Sequence, residues 1–140
     1  MNSRKPLRWV HILILVTLLL TGCGGATAKP PAAGEWVAST DFGKLVFTVD
    51  ETGTKITKMS YQFSEWTCGP TTNSGTIEVG SEWAITDGIF SVTTSFDPDK
   101  QQTMTFGGTY DAAKQEFSGA WDEVSYGAQC SGTWEASAPK

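Results

Sequence analysis

The chain has 140 residues, with 10 lysine and arginine residues, 15 aspartate and glutamate residues and one histidine, so its formal net charge is −5. This length fits one small domain with a core large enough to fold alone. The acidic balance repels phosphate backbones, so nucleic acid is excluded as a partner.

The N-terminal segment has the three-part layout of a secretory signal. Basic residues come first, an apolar run covers positions 10–20, and small residues follow it. The motif Leu20-Thr21-Gly22-Cys23 resembles the lipobox of bacterial lipoprotein precursors. An uncleaved transmembrane anchor is the alternative, but the apolar run is only about a dozen residues long, whereas a membrane span needs about twenty.

The lipobox resemblance implies a diacylglycerol on the sulfur of Cys23, cleavage before Cys23 and acylation of the new amino terminus. Several acyl chains anchor a protein durably. We therefore expect a protein held at the cell membrane or the outer membrane through Cys23, facing the periplasm or the exterior.

Cleavage before Cys23 also changes the chemistry that remains. It removes three basic residues, no acidic residue and the only histidine, His11, which leaves 7 lysines and no arginine against 15 acids, a net charge of about −8. A domain without histidine lacks the usual base of nucleophilic hydrolases and a common zinc ligand. We predict a non-enzymatic protein with no cofactor and no metal.

Residues 24–33 contain Pro30-Pro31 and show no apolar periodicity, which predicts a flexible tether. The predicted organisation is thus a signal peptide at 1–22, a lipid anchor and tether at 23–33, and one folded domain at 34–140.

The folded domain has strand alternation from its start. The segments 45–49 and 55–66 each place apolar side chains on one face. Ile56 falls out of phase with Met59, Tyr61 and Phe63, which predicts a β-bulge near Thr57.

The middle of the domain is predicted as shorter strands and turns. The composition of 68–75 indicates a loop, followed by strands at 76–79 and 82–86. Asp87-Gly88 is a strong hairpin signal, and 97–100 indicates another turn.

The C-terminal third contains a weak repeat of the form (F/C)-x-G-(T/A)-(Y/W)-(D/E), starting at Phe106, Phe117 and Cys130. At a period of two, the glycine and the aromatic residue share a face, so a ring can lie over a neighbouring strand's glycine. The repeat interval is one strand plus one turn. The predicted fold class is all-β, a single antiparallel meander of about eight strands that closes into a β-barrel or a β-sandwich.

The early G-x-W, the D-G-x-F hairpin and the C-x-G-T-W-x-A ending make residues 34–136 similar to small secreted all-β domains of bacterial lipoproteins. The resemblance implies the fold and exported location, but no functional residues.

Two cysteines remain once Cys23 is reserved for lipid. Cys68 and Cys130 form an even pair in an oxidising compartment, which predicts a disulfide. Such a bond would stabilise the fold by about 4 kcal/mol in the chain-entropy description.

Trp66 and Tyr126 are the candidate ligand platform. Counting by twos from Gln62 places Trp66 on the polar face, and Tyr126 lies in a polar loop near Cys130. The disulfide would bring both rings together, near Glu65, Glu123, Asn73 and Gln129, and flat rings beside amides and carboxylates suit a sugar or a small polar ligand. The alternative is that Trp66 only shields the disulfide, because the bulge could reset its phase.

We therefore expect a lipid-anchored envelope protein that binds a glycan, a small molecule or a protein partner. A carboxylate-based hydrolase and a purely structural envelope module are the alternatives.

Overall fold

A computed structural model describes residues 28–97, 99 and 101–140. The predicted signal peptide and Cys23 lie outside these residues. Within them, no helix is long and apolar enough to cross a membrane. The described residues form eight strands: β1 (Gly34–Thr40), β2 (Gly43–Val49), β3 (Lys55–Cys68), β4 (Thr71–Ala84), β5 (Ile89–Ser95), β6 (Gln102–Asp111), β7 (Glu116–Ser125) and β8 (Ala128–Ser137).

The eight strands form one antiparallel sheet with the order β4-β3-β2-β1-β8-β7-β6-β5. Consecutive strands pair everywhere except between β4 and β5, and β1 pairs with β8 through Val37–Ser137, Ala38–Ala136 and Ser39–Glu135. The sheet curves into a nearly closed barrel with its gap between β4 and β5. The all-β prediction is confirmed, and the structure decides for the barrel over the sandwich.

Aromatic side chains fill the interior of the barrel. Trp36 lies 4.9 Å from Phe117 and 6.2 Å from Phe47, measured between ring centroids. Phe42 contacts Trp121 edge-on, with the ring centroids 5.2 Å apart. Edge-on and offset contacts of this kind stabilise cores beyond the burial of apolar area. The interior is thus a packed core.

Two of the three glycines of the repeat pack under aromatic rings, as the spacing predicts, whereas Gly119 lies against the backbone of Gly107. Gly108 lies under the ring of Trp134, where an added Cβ would approach a ring carbon to 2.7 Å. Gly132 leaves space for the indole of Trp121, which an added Cβ would approach to 2.6 Å. Close approach of a ring to the backbone is therefore what requires glycine at these two positions.

The β3 strand has the bulge predicted near Thr57, since its register with β2 shifts between Thr48 and Val49. The predicted loop at 68–75 and the two short strands after it are wrong in extent. Only Gly69 and Pro70 form a turn, and β4 then runs unbroken from Thr71 to Ala84. Pairing along the length of β3 outweighs the loop-like composition of this segment.

The tether ends against the barrel. Pro31 is buried. The indole N–H of Trp36 donates to the carbonyl oxygen of Ala32 at 3.0 Å. Pro30 also lies against the barrel, since a Cβ added at Gly53 would approach its ring to 2.9 Å. The chain packed on the barrel thus includes residues 30–32 of the predicted tether.

Tyr61 is a buried tyrosine whose ionisation reports on the core. Its hydroxyl donates to the sulfur of Met59 and accepts from the hydroxyl of Thr94, both at 3.1 Å. Burial raises the pKa of Tyr61 to about 12, partly offset by the Thr94 hydrogen bond. Because the folded state favours the neutral phenol, this contribution to stability is complete below pH 10 and is lost as the pH rises towards about 12.

We predict that Tyr61 ionises last of the three tyrosines in a spectrophotometric alkaline titration. Tyr61→Phe should remove the highest step and leave the other two in place, with circular dichroism recorded in parallel to detect unfolding. A highest step that persists in Tyr61→Phe would show that another tyrosine is the buried one.

Candidate functional site at the capped end of the barrel

Alternate turns lie at the same end of an antiparallel barrel. The β1–β2, β3–β4 and β7–β8 turns and the β5–β6 loop lie at one end, which we name the capped end. β1 starts at the opposite end, where the chain arrives from residues 28–33, so we name that the tether end. Any ligand surface at the capped end is thus separated from residues 28–33 by the length of the barrel.

The β3–β4 hairpin extends past its neighbour β2. β2 has 7 residues and pairs with β3 only as far as Gly43–Phe63, whereas β3 has 14 residues and continues to Cys68. A second bulge, in which Ser64 and Glu65 face one residue of β4, lies at the point of departure, and Glu65 has a φ of 54°. A bulge bends its strand. The hairpin tip can therefore turn across the end of the barrel.

The hairpin tip is fixed to the opposite wall. Cys68 of β3 and Cys130 of β8 form the predicted disulfide, with Cα atoms 6.0 Å apart. The hydroxyl of Ser125, at the end of β7, donates to the hydroxyl oxygen of Thr71 at 2.7 Å. The hairpin tip thus closes this end of the barrel, and we name this closure the cap. It is covalently attached at one point and hydrogen-bonded at another.

Glu123 is the centre of the cap. It is fully buried on β7, which lies across the barrel from β3. Its Oε2 accepts the indole N–H of Trp66 at 2.6 Å, and its Oε1 accepts the side-chain amides of Asn73 at 3.1 Å and Gln102 at 3.2 Å. Gln102 also donates to Asn73 Oδ1 at 3.0 Å. One carboxylate thus joins β3, β4, β6 and β7.

The partners of Glu123 are all neutral N–H donors, and both carboxylate oxygens are used. An ionised carboxylate only accepts hydrogen bonds, and short bonds to it are the strong ones. Its sequence neighbour Asp122 lies on the outer face of the barrel and is exposed. The two adjacent acids therefore do not form a pair, and Glu123 is arranged to hold the cap together.

Trp66 does not lie on the polar face of β3, where counting by twos from Gln62 predicted it. The bulge at Ser64 and Glu65 reverses the phase of β3, so Trp66 points inward, is half-buried and packs edge-on against Trp121 at 5.5 Å. The prediction that Trp66 faces the polar side is therefore wrong. Its alternative expected a bulge to reset the phase, but the bulge that does so is this second one and not the one predicted near Thr57. Its side chain closes the barrel beside the disulfide.

Tyr126 is the exposed ring at this end, with 56% of its surface accessible. It forms a two-residue hairpin turn with Gly127, and both have positive φ, 48° and 88°. Left-handed backbone is unusual for a bulky residue and costs about 1–3 kcal/mol where the surroundings enforce it. The backbone N–H of Tyr126 donates to Gln101 at 2.8 Å, which helps to fix the turn.

A shallow groove of about 420 Å³ lies on the outer face of the two strands that this turn joins. Asp122, Gln129 and Ser131 supply a carboxylate, an amide and a hydroxyl, and Val124 supplies an apolar surface. Of the predicted neighbours of the platform, Gln129 and Glu123 both line this groove. Glu123 is nevertheless fully buried, and its carboxylate binds Trp66 and Asn73 inside the barrel end.

Sequence reasoning named Glu123 as a neighbour of the platform and missed that it is buried. The sequence signal was the alternation of side chains, because Glu123 lies two residues after Trp121 and therefore points to the same side of β7. In the structure Trp121, Glu123 and Ser125 are all buried. A carboxylate at an inward position of a strand requires buried donors.

We predict that Glu123→Gln lowers the free energy of unfolding by about 2 kcal/mol. The glutamine NH2 group would replace one accepting oxygen of the carboxylate and would face an N–H group that needs an acceptor. Urea denaturation of the oxidised protein measures this change.

Asp122→Asn is the matched control, since it removes the same charge from the adjacent, outward position. It should change the free energy of unfolding by less than about 0.5 kcal/mol. Equal effects of the two substitutions would contradict the bridging role of Glu123.

Compared with models of known protein families, with curated proteins and with solved structures, the chain matches none. No likeness to a protein of known activity therefore bears on its function. The geometry of the capped end and the chemistry of the barrel's surface are what can indicate it.

Proposed function

We propose that this protein is a lipid-anchored, non-enzymatic binding domain of the cell envelope, which presents its capped end to glycans. The lipid anchor is Cys23, and the ligand surface is Tyr126 with the groove on β7 and β8. The observation that carries this proposal is an exposed tyrosine held in left-handed backbone beside a groove of mixed polar groups.

The arrangement of the two ends supports the anchored role. The chain enters the barrel at the tether end, whereas Tyr126 lies at the capped end. An anchor at Cys23 would hold the tether end towards the membrane and leave the capped end accessible. The short segment from Cys23 to Pro31 would act as the spacer between lipid and barrel.

The packed interior favours recognition on the outside. Aromatic rings occupy the core, so a ligand held inside would have to displace them. On the outside, the ring of Tyr126 offers a flat face to a sugar, while Asp122, Gln129 and Ser131 can hydrogen-bond hydroxyl groups. This combination matches carbohydrate better than an apolar molecule.

A glycan array probed with the full mature protein tests the binding half of the proposal. We expect Tyr126→Ala to weaken binding of the best glycan by roughly 30-fold, equivalent to about 2 kcal/mol, as for an aromatic hot spot, and Tyr126→Phe to retain most of it.

Val37→Ala is the control, because Val37 is similarly exposed, at 48%, on the outer face of β1. Glycan binding that survives Tyr126→Ala would reject this site, and absence of binding to any glycan would favour a protein partner or a structural role. Labelling with a fatty-acid analogue tests the anchor independently: the wild type should take up label and Cys23→Ala should not.

A further inference from the structure

The gap in the barrel between β4 and β5, which we name the seam, is bordered by two unpaired strand edges. The chain turns tightly at Asp87-Gly88, and in the described part of the chain the Thr86–Ile89 bridge is the only backbone pairing between the two sides. The hairpin predicted from Asp87-Gly88 thus forms one bridge beside the turn, and its two strands are not paired beyond that bridge. Backbone groups along both edges are left free to bind another strand.

The register shows which groups of β5 point into the seam. The N–H of Phe96 and the carbonyl of Gly88 both bond β6, so even-numbered residues of β5 face β6. Backbone groups alternate in direction along a strand. The N–H and C=O groups of Ser91, Thr93 and Ser95 therefore point into the seam.

The same reasoning applies to β4. The N–H of Ser64 bonds the carbonyl of Phe42, the residue before β2. Met59 and Tyr61 of β3 therefore face β4 and bond Val79 and Ile77. The intervening residues, Thr76 and Glu78, therefore direct their backbone groups into the seam. Both edges therefore present backbone N–H and C=O groups at every second residue, the spacing at which an extended polypeptide can hydrogen-bond to them.

β5 lacks the features that normally protect an edge. It contains no charged residue, no proline and no glycine, and Ile89 at its start is 56% exposed. Natural edge strands are usually blunted by charges, prolines or bulges. An unblunted edge of this kind favours pairing with another chain.

The side chains of β4 indicate which residues a strand bound in the seam must have. Ile77, Val79 and Trp83 have the inward parity of an apolar face but remain only half-buried, so the strand must offer apolar residues inward. Outward, Glu78 and Glu82 are largely exposed, and each uses one carboxylate oxygen to pair with a lysine of β3, at 3.0 and 2.8 Å. Neither β4 nor β5 contains a lysine or an arginine that could pair with the other oxygen. Opposite charges on adjacent strands attract, so the strand's outward residues should be basic.

We propose that the seam is a second binding site, which accepts one extended segment of another protein whose apolar residues alternate with basic or hydroxyl residues. The segment adds as a strand between β4 and β5. Main-chain hydrogen bonds supply the binding, and the alternation of side chains supplies the selectivity. This site is independent of the capped end and of glycan binding.

The test uses the full mature protein and a short end-capped peptide in which valine alternates with lysine and threonine. Hydrogen exchange should show the amides of Ser91 and Thr93 becoming protected when the peptide binds. The same peptide with N-methyl groups on alternate residues should fail to bind, because it keeps the side chains but loses N–H donors.

Thr93→Pro removes a donor that points into the seam and leaves the backbone pairing with β6, since proline is tolerated on an edge strand. Thr93→Val is its control, because it removes only the exposed side-chain hydrogen bond to Thr105 of β6. The proline variant should weaken peptide binding by about tenfold or more, the effect of one lost hydrogen bond. Glu78→Lys reverses the charge on the outer face and removes the exposed ion pair with Lys58 of β3. It should also weaken binding of the lysine peptide and should improve binding of its glutamate counterpart.

Failure of the lysine peptide to bind the wild type would overturn the proposal, as would binding that the N-methylated peptide reproduces. Concentration-dependent protection of Ser91 and Thr93 without peptide would also overturn it, because a second copy of the chain would then occupy the seam.

Discussion

The capped end depends on one buried carboxylate. Taking a carboxylate out of water costs several kcal/mol unless donors replace the water. Glu123 meets this cost with the N–H groups of Trp66, Asn73 and Gln102, which come from three other strands. Those donors must stay at the capped end, and two of them lie on the β3–β4 hairpin. The carboxylate therefore fixes the path of the hairpin across the barrel, and the Cys68–Cys130 disulfide secures the same closure covalently.

The fold class, the strand number, the bulge at Thr57 and the disulfide could all be predicted, because each depends on local alternation, turn residues or cysteine number. The site could be predicted only in part. Counting by twos fails beyond Phe63, where the bulge at Ser64 and Glu65 is set by the barrel's closure and not by any local sequence signal. The unbroken β4 was missed for a related reason, since its pairing with β3 outweighs a composition rich in threonine, serine and glycine. A barrel can be distinguished from a sandwich only by the β1–β8 pairing, which joins the first and the last strand of the chain and which local sequence does not predict.

Because the interior of the barrel is filled by side chains, we infer that ligands bind on its surface. Barrels with large interiors hold ligands inside, but here rings such as Trp36 and Phe47 occupy that space. Two surface features remain that packing does not require. One is Tyr126, exposed in left-handed backbone at the capped end; the other is the unblunted edge of β5 along the seam. They lie on different parts of the barrel, so a domain anchored at Cys23 could engage a glycan and a polypeptide strand at the same time.

Exchange of the Trp66 indole N–H with solvent tests the central claim about the cap most directly, and Trp66→Phe assigns its NMR signal. If Glu123 holds the hairpin tip in place, this proton exchanges slowly in the wild type and in Asp122→Asn. It should exchange about tenfold faster or more in Glu123→Gln with the disulfide intact, since local opening then costs at least about 1.4 kcal/mol less. An exchange rate that is the same in wild type and Glu123→Gln would contradict the account, because the disulfide and the other contacts of the hairpin tip would then hold it without the carboxylate.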